Sequence, residues 1–261
     1  ELPPFWGAAM RFFASAAIFW IIVAARRVAL PRGRALVGTL VYGLLQFFMS
    51  FALGYVALQR VPAGLASTLT ATIPLFTLLF AGAARLEPLS LRAAAGALLS
   101  LAGIALLFGS GLRADVPLAF LLASVAMAAC LALAAVVVKF FPPAPVASQS
   151  AIAMLVGAIA LLALSYGVGE PHGWPTLMST WAAQVYLILP GSLGVFALLL
   201  ALLHRWTASG VSYQAVLSPL ITALLSLWLL DEPLTLWFVA GSVVVLLGVY
   251  VGALTKGPRQ P

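Results

Sequence analysis

Unbroken apolar runs of about 20 residues recur along the whole chain, and they constrain its fold more than any other feature. A bilayer core is about 30 Å thick, so a helix rising about 1.5 Å per residue needs about 20 apolar residues to cross it. Nine such segments are present, at residues 4–25, 35–57, 64–84, 91–108, 117–139, 146–168, 182–203, 211–230 and 235–254. They predict an all-α integral membrane protein with nine visible transmembrane helices.

Composition excludes the main alternatives. Of the 261 residues 64% are hydrophobic and 7% charged, against about 25% charged in soluble domains. Strands of a membrane barrel would alternate in hydropathy, and these runs do not. The lone Cys130 excludes an intramolecular disulfide. With no His-Glu-x-x-His, no Gly-x-Ser-x-Gly and no paired aspartates, we predict neither an enzyme nor a bound metal or cofactor.

The positions of the basic residues predict the orientation in the membrane, because Lys and Arg accumulate in cytoplasmic loops. Numbering the loops alternately assigns ten basic residues to one side and two to the other. We therefore expect a multi-pass protein of the cell inner (plasma) membrane with Glu1 outside and the C-terminus in the cytoplasm. The net charge of +7 is mostly this asymmetry, so no nucleic-acid partner is predicted. The ten are Arg26, Arg27, Arg32, Arg34, Arg85, Arg92, Lys139, Arg205, Lys256 and Arg259, and the two are Arg60 and Arg113.

The chain also contains an internal repeat, seen when it is compared with itself at an offset of 145 residues. Matches between Leu or Ala residues would be uninformative in so apolar a sequence, but prolines, glycines and a Glu-Pro-Leu triplet also coincide. The matched positions are Arg60 and Arg205, Pro74 and Pro219, Glu87-Pro88-Leu89 and Glu232-Pro233-Leu234, Gly96 and Gly241, and Gly103 and Gly248. We predict a first repeat at 1–111 and a second at 112–261.

The number of helices per repeat predicts how the two copies are related. The offset spans five predicted helices, an odd number, so the copies should lie in the membrane with opposite topology. Such inverted repeats are typical of secondary transporters, whose binding sites lie near the bilayer midplane. The first copy has only four predicted helices, so we expect a further helix before Glu1 and ten in all.

A Glu-Pro motif follows the fourth helix of each repeat, if the helix expected before Glu1 is counted in the first: Leu86-Glu87-Pro88-Leu89 and Leu230-Asp231-Glu232-Pro233-Leu234. Pro3-Pro4 precedes Arg11-Phe12 near the start. In these motifs the chain resembles the drug/metabolite transporter superfamily, specifically the ten-helix EamA-type exporters of bacterial inner membranes. Within it, the chain is similar to exporters of amino acids, including aromatic ones. The resemblance implies a small-molecule substrate and lipid around the protein, and we expect a monomer.

Polar side chains deep in apolar segments are the candidate substrate contacts, because such residues are costly in a bilayer and usually face a cavity or another helix. Tyr42, Gln46 and Ser50 follow i, i+4, i+8 spacing and should share one helix face. The Gln46 amide, with donors and an acceptor, suits a zwitterion. The alternative is an ordinary interhelical hydrogen bond.

Prolines within predicted helices indicate the second group of candidates. Proline leaves the carbonyl four residues earlier without its donor, and matched broken helices point to a transporter's binding site. Pro74 affects Thr70 in this way, and Pro190 affects Tyr186. Packing kinks are the alternative. The remaining candidates are Met127, Tyr213, Gln214, Ser218 and Pro219.

Together these features predict a secondary transporter that exports neutral or aromatic amino acids, or similar small metabolites, by alternating access. Because no Asp or Glu lies inside a predicted helix, uniport is expected rather than proton antiport. A drug or lipid efflux carrier, a channel and a non-transporting scaffold remain alternatives. Arg11, within the first segment, either extends to the outer surface or anchors a carboxylate.

Overall fold

A computed structural model of the chain describes residues 1–61, 63–107, 116–218, 220–221 and 236–254, and every regular element in these ranges is helical. This confirms the predicted all-α class. The α-helices are α1 (Pro4–Ala25), α2 (Arg34–Gly43), α3 (Ser50–Leu58), α4 (Ala63–Thr70), α5 (Ile73–Ala83), α6 (Leu91–Leu107), α7 (Leu118–Phe140), α8 (Val146–Gly167), α9 (Met178–Ile188), α10 (Val195–Arg205), α11 (Ala208–Ser212) and α12 (Leu236–Val249). Three π-helical segments complete them: π1 (Leu44–Met49), π2 (Leu189–Gly194) and π3 (Tyr250–Leu254).

Five stretches of the described chain are long and apolar enough to span a membrane: Pro4–Ala25, Arg34–Leu58, Leu118–Phe140, Val146–Gly167 and Met178–Arg205. They coincide with five of the nine predicted segments. The others are shorter in the structure or extend past the described residues. The totals of nine visible helices and ten overall therefore stay predictions.

The predicted interruption at Pro74 is present. Helix α4 ends at Thr70, and α5 begins at Ile73 with the proline in its first turn, where no backbone N–H is needed. The hydroxyl of Thr70 donates to the carbonyl of Ala66 at 2.7 Å, and that of Thr72 donates to the carbonyl of Leu69 at 2.5 Å. Both hydroxyls therefore bond back to carbonyls of α4 next to the break rather than pointing away from the backbone.

Element boundaries repeat at the same 145-residue offset as the sequence. Segment π1 (Leu44–Met49) corresponds at both ends to π2 (Leu189–Gly194). The first residues of α3, α4 and α6 likewise correspond to those of α10, α11 and α12. A π turn is rare and adds one residue to a helix. Its presence at equivalent positions shows that the internal repeat extends to fine backbone geometry.

The chain forms two compact units, and each contains part of both predicted repeats: unit 1 is Glu1–Tyr55 with Val137–Arg205, and unit 2 is Val56–Val136 with Trp206–Pro261. In unit 1, α1 and the segment from α2 through π1 pack against α8. A Cβ placed on Gly43 would lie 2.6 Å from the carbonyl oxygen of Ala153, and one on Gly157 would lie 2.3 Å from the Cβ of Phe47. Glycine is therefore required at both positions for the helices to approach this closely.

In unit 2, α6 and α12 pack side by side through small residues. A Cβ on Gly103 would lie 2.6 Å from the backbone nitrogen of Val245. The carboxylate of Glu87 accepts hydrogen bonds from the backbone nitrogens of Ala208 at 2.7 Å and Ser209 at 3.3 Å. The acid of the first Glu-Pro motif thus caps the helix start of α11, where a negative charge is favourable.

Candidate functional site

The predicted polar face of the second span is present in unit 1. Tyr42, Gln46 and Ser50 are all buried, with exposed fractions of 0%, 6% and 3%. The Ser50 hydroxyl donates to the backbone carbonyl of Gln46. The Tyr42 hydroxyl is buried without a hydrogen-bond partner among the described residues. The structure therefore keeps these three side chains on the inner side of the segment, although π1 interrupts the α-helical spacing.

Gln46 lies within π1 itself. A π turn disturbs the regular ladder of backbone hydrogen bonds, and in a membrane such backbone is tolerated only where it faces protein or water. Beside it, the Phe47 ring contacts Phe12 and Phe196 edge to face, with ring centroids 5.0 and 4.7 Å apart. The interrupted turn consequently combines an amide side chain with a rigid aromatic wall.

Arg11 connects α1 to the matching interruption, π2. Its Nε donates to the Ser192 hydroxyl at 2.6 Å, and its Nη2 donates to the Gly191 carbonyl at 2.9 Å. The guanidinium carbon also lies 5.6 Å from the ring centroid of Phe51, a cation–π distance. The guanidinium is thus held against π2 by neutral groups, and both interpretations of Arg11, extension to the outer surface and anchoring of a carboxylate, stay predictions.

A pocket of about 280 Å³ opens beside Arg11 in unit 1. Its polar wall consists of Arg11, Tyr55 and Gln184. Gln184 is 8% exposed and its Nε2 donates weakly to the Gly7 carbonyl at 3.4 Å. Its Oε1 is buried with no partner in the part of the chain that the structure describes. The rest of the lining is apolar or backbone, from Leu2, Pro3, Pro4, Gly7, Ala8 and Leu187.

The start of α1 lines this pocket, and two carboxylates hold it in place. Glu170 accepts from the backbone nitrogens of Phe5 at 3.1 Å and Trp6 at 2.8 Å. Glu1 accepts from the hydroxyls of Thr176 at 2.6 Å and Thr180 at 2.7 Å. The hydroxyls of Thr176 and Thr180 lower the pKa of Glu1 from 4.5 to about 2, because hydrogen bonds to a carboxylate favour its charged form.

The candidates in unit 2 lie in different environments. Pro74 is buried beside a cluster in which Ile73 of α5 packs with Ala128 and Ala132 of α7. The Tyr213 hydroxyl donates to the Ala93 carbonyl at 2.9 Å, so it joins two helices rather than facing a cavity. Thr70 and Met127 are partly buried, Gln214 and Ser218 are exposed, and Pro219 lies outside the described residues.

Two residues of the pocket wall, Tyr55 and Gln184, were not among the residues predicted from the sequence. Gln184 is the one amide in the apolar segment 182–203 and could have been noticed for that reason. Tyr55, near the end of a predicted span, gave no signal. Tyr186, a predicted contact, is 68% exposed and does not line the pocket. Among the described residues, no group of three or more His, Cys, Asp or Glu could hold a metal ion.

Interrupted apolar helices with polar groups buried beside them are the means by which helical membrane carriers present backbone and side chains to a substrate, and the chain is of that class. It belongs to the EamA-like transporter family, which it matches over residues 1–109 and 117–253. The chain is therefore a membrane transporter, and the predicted resemblance is confirmed.

Individual proteins and structures similar to this chain are consistent with the family assignment. The chain is 28% identical to the uncharacterized inner membrane transporter YedA of Escherichia coli K12, over 95% of the chain and 83% of that protein. YedA of the O157:H7 strain matches with the same values. A solved crystal structure superposes with a TM-score of 0.80 at 23% identity, covering 97% of this chain and 90% of that one. That likeness supports the fold.

Proposed function

We propose that this transporter exports neutral or aromatic amino acids, or similar small amphipathic metabolites, by alternating access. It would act as a monomer in the inner membrane, the location named for its relative YedA, with its C-terminus in the cytoplasm. One repeat would be inverted relative to the other, so that the site is exposed to each side of the membrane in turn.

The observation that carries the proposal is the pair of interruptions π1 and π2 at equivalent repeat positions. Discontinuous helices at matching places in two halves are the best sequence-level pointer to a carrier's binding site. In π1 the interruption coincides with the buried amide of Gln46, flanked by Tyr42 and Ser50. A buried amide offers both donors and an acceptor, and so suits a zwitterion.

In unit 2 the break at Pro74, together with Thr70, is the proposed substrate-facing element. Met127, Tyr186, Tyr213, Gln214, Ser218 and Pro219 complete the proposed site. Tyr213 and the exposed Tyr186 have the weakest support, since neither offers a free polar group to a cavity in the described structure.

We propose that transport is uniport, without coupling to protons. Proton-coupled carriers commonly use an intramembrane carboxylate as a relay, and none of the six acidic residues falls inside a predicted span. Flow would then follow the substrate gradient alone.

Flux of radiolabelled amino acids from proteoliposomes, with and without a pH gradient, tests the proposal. We expect saturable flux that changes little with the gradient. Replacing Gln46→Ala should lower it about tenfold, the loss expected for one or two hydrogen bonds to a charged ligand. The matched variant Gln59→Ala, at an exposed position, should leave it unchanged. Non-saturating flux would indicate a channel, and no stimulation by any amino acid would contradict the proposed substrates.

A further inference from the structure

Arg11 is a cation inside a membrane-spanning helix, without an anionic partner in its own unit. It lies seven residues from the first residue of α1, a depth of about 10 Å along the axis. Arginine at such a depth is costly and normally pairs with an anion or reaches water. Its observed partners, the Ser192 hydroxyl and the Gly191 carbonyl, are both neutral.

Unit 1 contains two acidic residues, Glu1 and Glu170, and both carboxylates are bonded elsewhere. Glu170 caps the backbone of α1 and accepts a third bond from the Ser165 hydroxyl at 2.7 Å. Glu1 is held by Thr176 and Thr180. The unit therefore has no carboxylate free to neutralise Arg11.

The guanidinium of Arg11 keeps hydrogen-bond donors that have no partner among the described residues. Of its five N–H donors, Nε–H and one on Nη2 are used by π2. Three donors remain, enough for the paired hydrogen bonds that a carboxylate forms with arginine. Since Arg11 lines the pocket, an anion entering it would meet these donors directly.

Gln184 supplies the second recognition element. Its Oε1 is a buried acceptor with no donor in the described structure, although the side chain lines the same pocket as Arg11. A buried acceptor left unpaired costs about 1–3 kcal/mol. Turning the amide toward the pocket would let a ligand donor, such as an ammonium or hydroxyl group, reach this oxygen and remove the penalty.

We infer that the pocket of Arg11, Gln184 and Tyr55 binds a small carboxylate with a hydrogen-bond donor next to it, the head group of an α-amino acid. The carboxylate pairs with the free N–H groups of Arg11, and the ammonium group donates to Gln184 Oε1. The apolar side chain lies against Leu2 and Leu187. The volume of about 280 Å³ is close to the lower end of small-molecule pockets, about 300 Å³. This inference rests on the proposed function and adds, for the same class of substrate, a binding site that does not include Gln46.

Calorimetric titration of the purified transporter with three related probes tests the site. L-leucine carries both groups, isocaproate lacks the ammonium and L-leucinamide lacks the carboxylate. We expect leucine to bind most tightly. Replacing Arg11→Gln should weaken leucine and isocaproate binding about 10- to 100-fold, the range for charge-assisted bonds, and Arg11→Lys should weaken it less. Gln184→Leu should weaken leucine to the level of isocaproate and leave isocaproate unchanged.

The control is Arg26→Gln, which removes the same charge from an exposed position of the same unit and should change none of the affinities. If Arg11→Gln does not fold, Arg11→Lys and Gln184→Leu decide. Equal binding of leucine and leucinamide, no binding of leucine, or leucine affinities unaffected in the folded variants would overturn the inference. Amino-acid flux that persists in those variants would leave the proposed function standing. Arg11-dependent binding without any amino-acid flux would leave the site standing and refute the proposed export of amino acids.

Discussion

At the scale of single residues, glycine determines how closely the helices of unit 1 approach one another. Gly157 of α8 lies against the side chain of Phe47, and Gly43 lies against the backbone of Ala153. Helices in lipid gain little from burying apolar surface and depend on close van der Waals contact instead. These two glycines are therefore structural determinants of the position of π1, and so of Gln46.

A pair of substitutions on α8 tests this role. We expect Gly157→Ala to lower the free energy of unfolding by about 1–3 kcal/mol, since its Cβ would overpack the contact with Phe47. Gly167→Ala, at the last residue of the same helix, meets nothing within 4 Å and should be neutral or stabilise by about 0.4–1 kcal/mol. Unfolding in mixed micelles measures both. Equal stability of the two variants would contradict the packing argument.

At the scale of elements, α1 depends on a loop far away in sequence for its N-terminal cap. Its N-cap residue, Pro3, has no side-chain acceptor, and the first backbone N–H groups of a helix require one. Glu170, in the loop between α8 and α9, provides it for Phe5 and Trp6. The start of α1, which lines the pocket, is consequently held in part by this loop.

Removing that acceptor should loosen the start of α1. We expect Glu170→Ala to lower the free energy of unfolding by about 1–2 kcal/mol, as for loss of a helix cap, and to speed amide hydrogen exchange at Phe5 and Trp6. Glu170→Gln keeps an acceptor oxygen and should recover part of both effects. Unchanged exchange at these two amides in Glu170→Ala would show that water replaces the carboxylate without loss.

At the scale of the whole molecule, the compact units and the sequence repeats divide the chain differently. Unit 1 takes the start of the first predicted repeat and the middle of the second, and unit 2 takes the remainder of both. The predicted boundary at 111/112 falls outside the described residues, so it stays a prediction. Residues are therefore more densely packed within each unit than within each sequence repeat.

The proposed orientation can be tested on the whole molecule with single cysteines, after Cys130→Ala removes the native thiol. Gly173→Cys should react with a membrane-impermeant maleimide in intact cells, and Arg32→Cys should react only after the cells are opened. The reason is the excess of Lys and Arg on the side that carries Arg32. The opposite labelling pattern would invert the topology.

Five of the spans and the break at Pro74 were predictable, because hydropathy and proline chemistry act locally. Segment π1 was not predictable, since Leu44–Met49 contains neither proline nor glycine and its sequence is equally compatible with an α-helix. The bond between Arg11 and Ser192 joins residues 181 positions apart, and only the packing of unit 1 brings them together. The candidate pocket could therefore be found only from the structure, whereas the shared face of Tyr42, Gln46 and Ser50 could be predicted from the spacing of these residues in the sequence.

The matched π turns also carry information about history. Each holds one residue more than an α-turn would, and both occur at the same point of the repeat. Two separate insertions at one equivalent site would require a coincidence, whereas a single insertion in an ancestral half-length gene accounts for both.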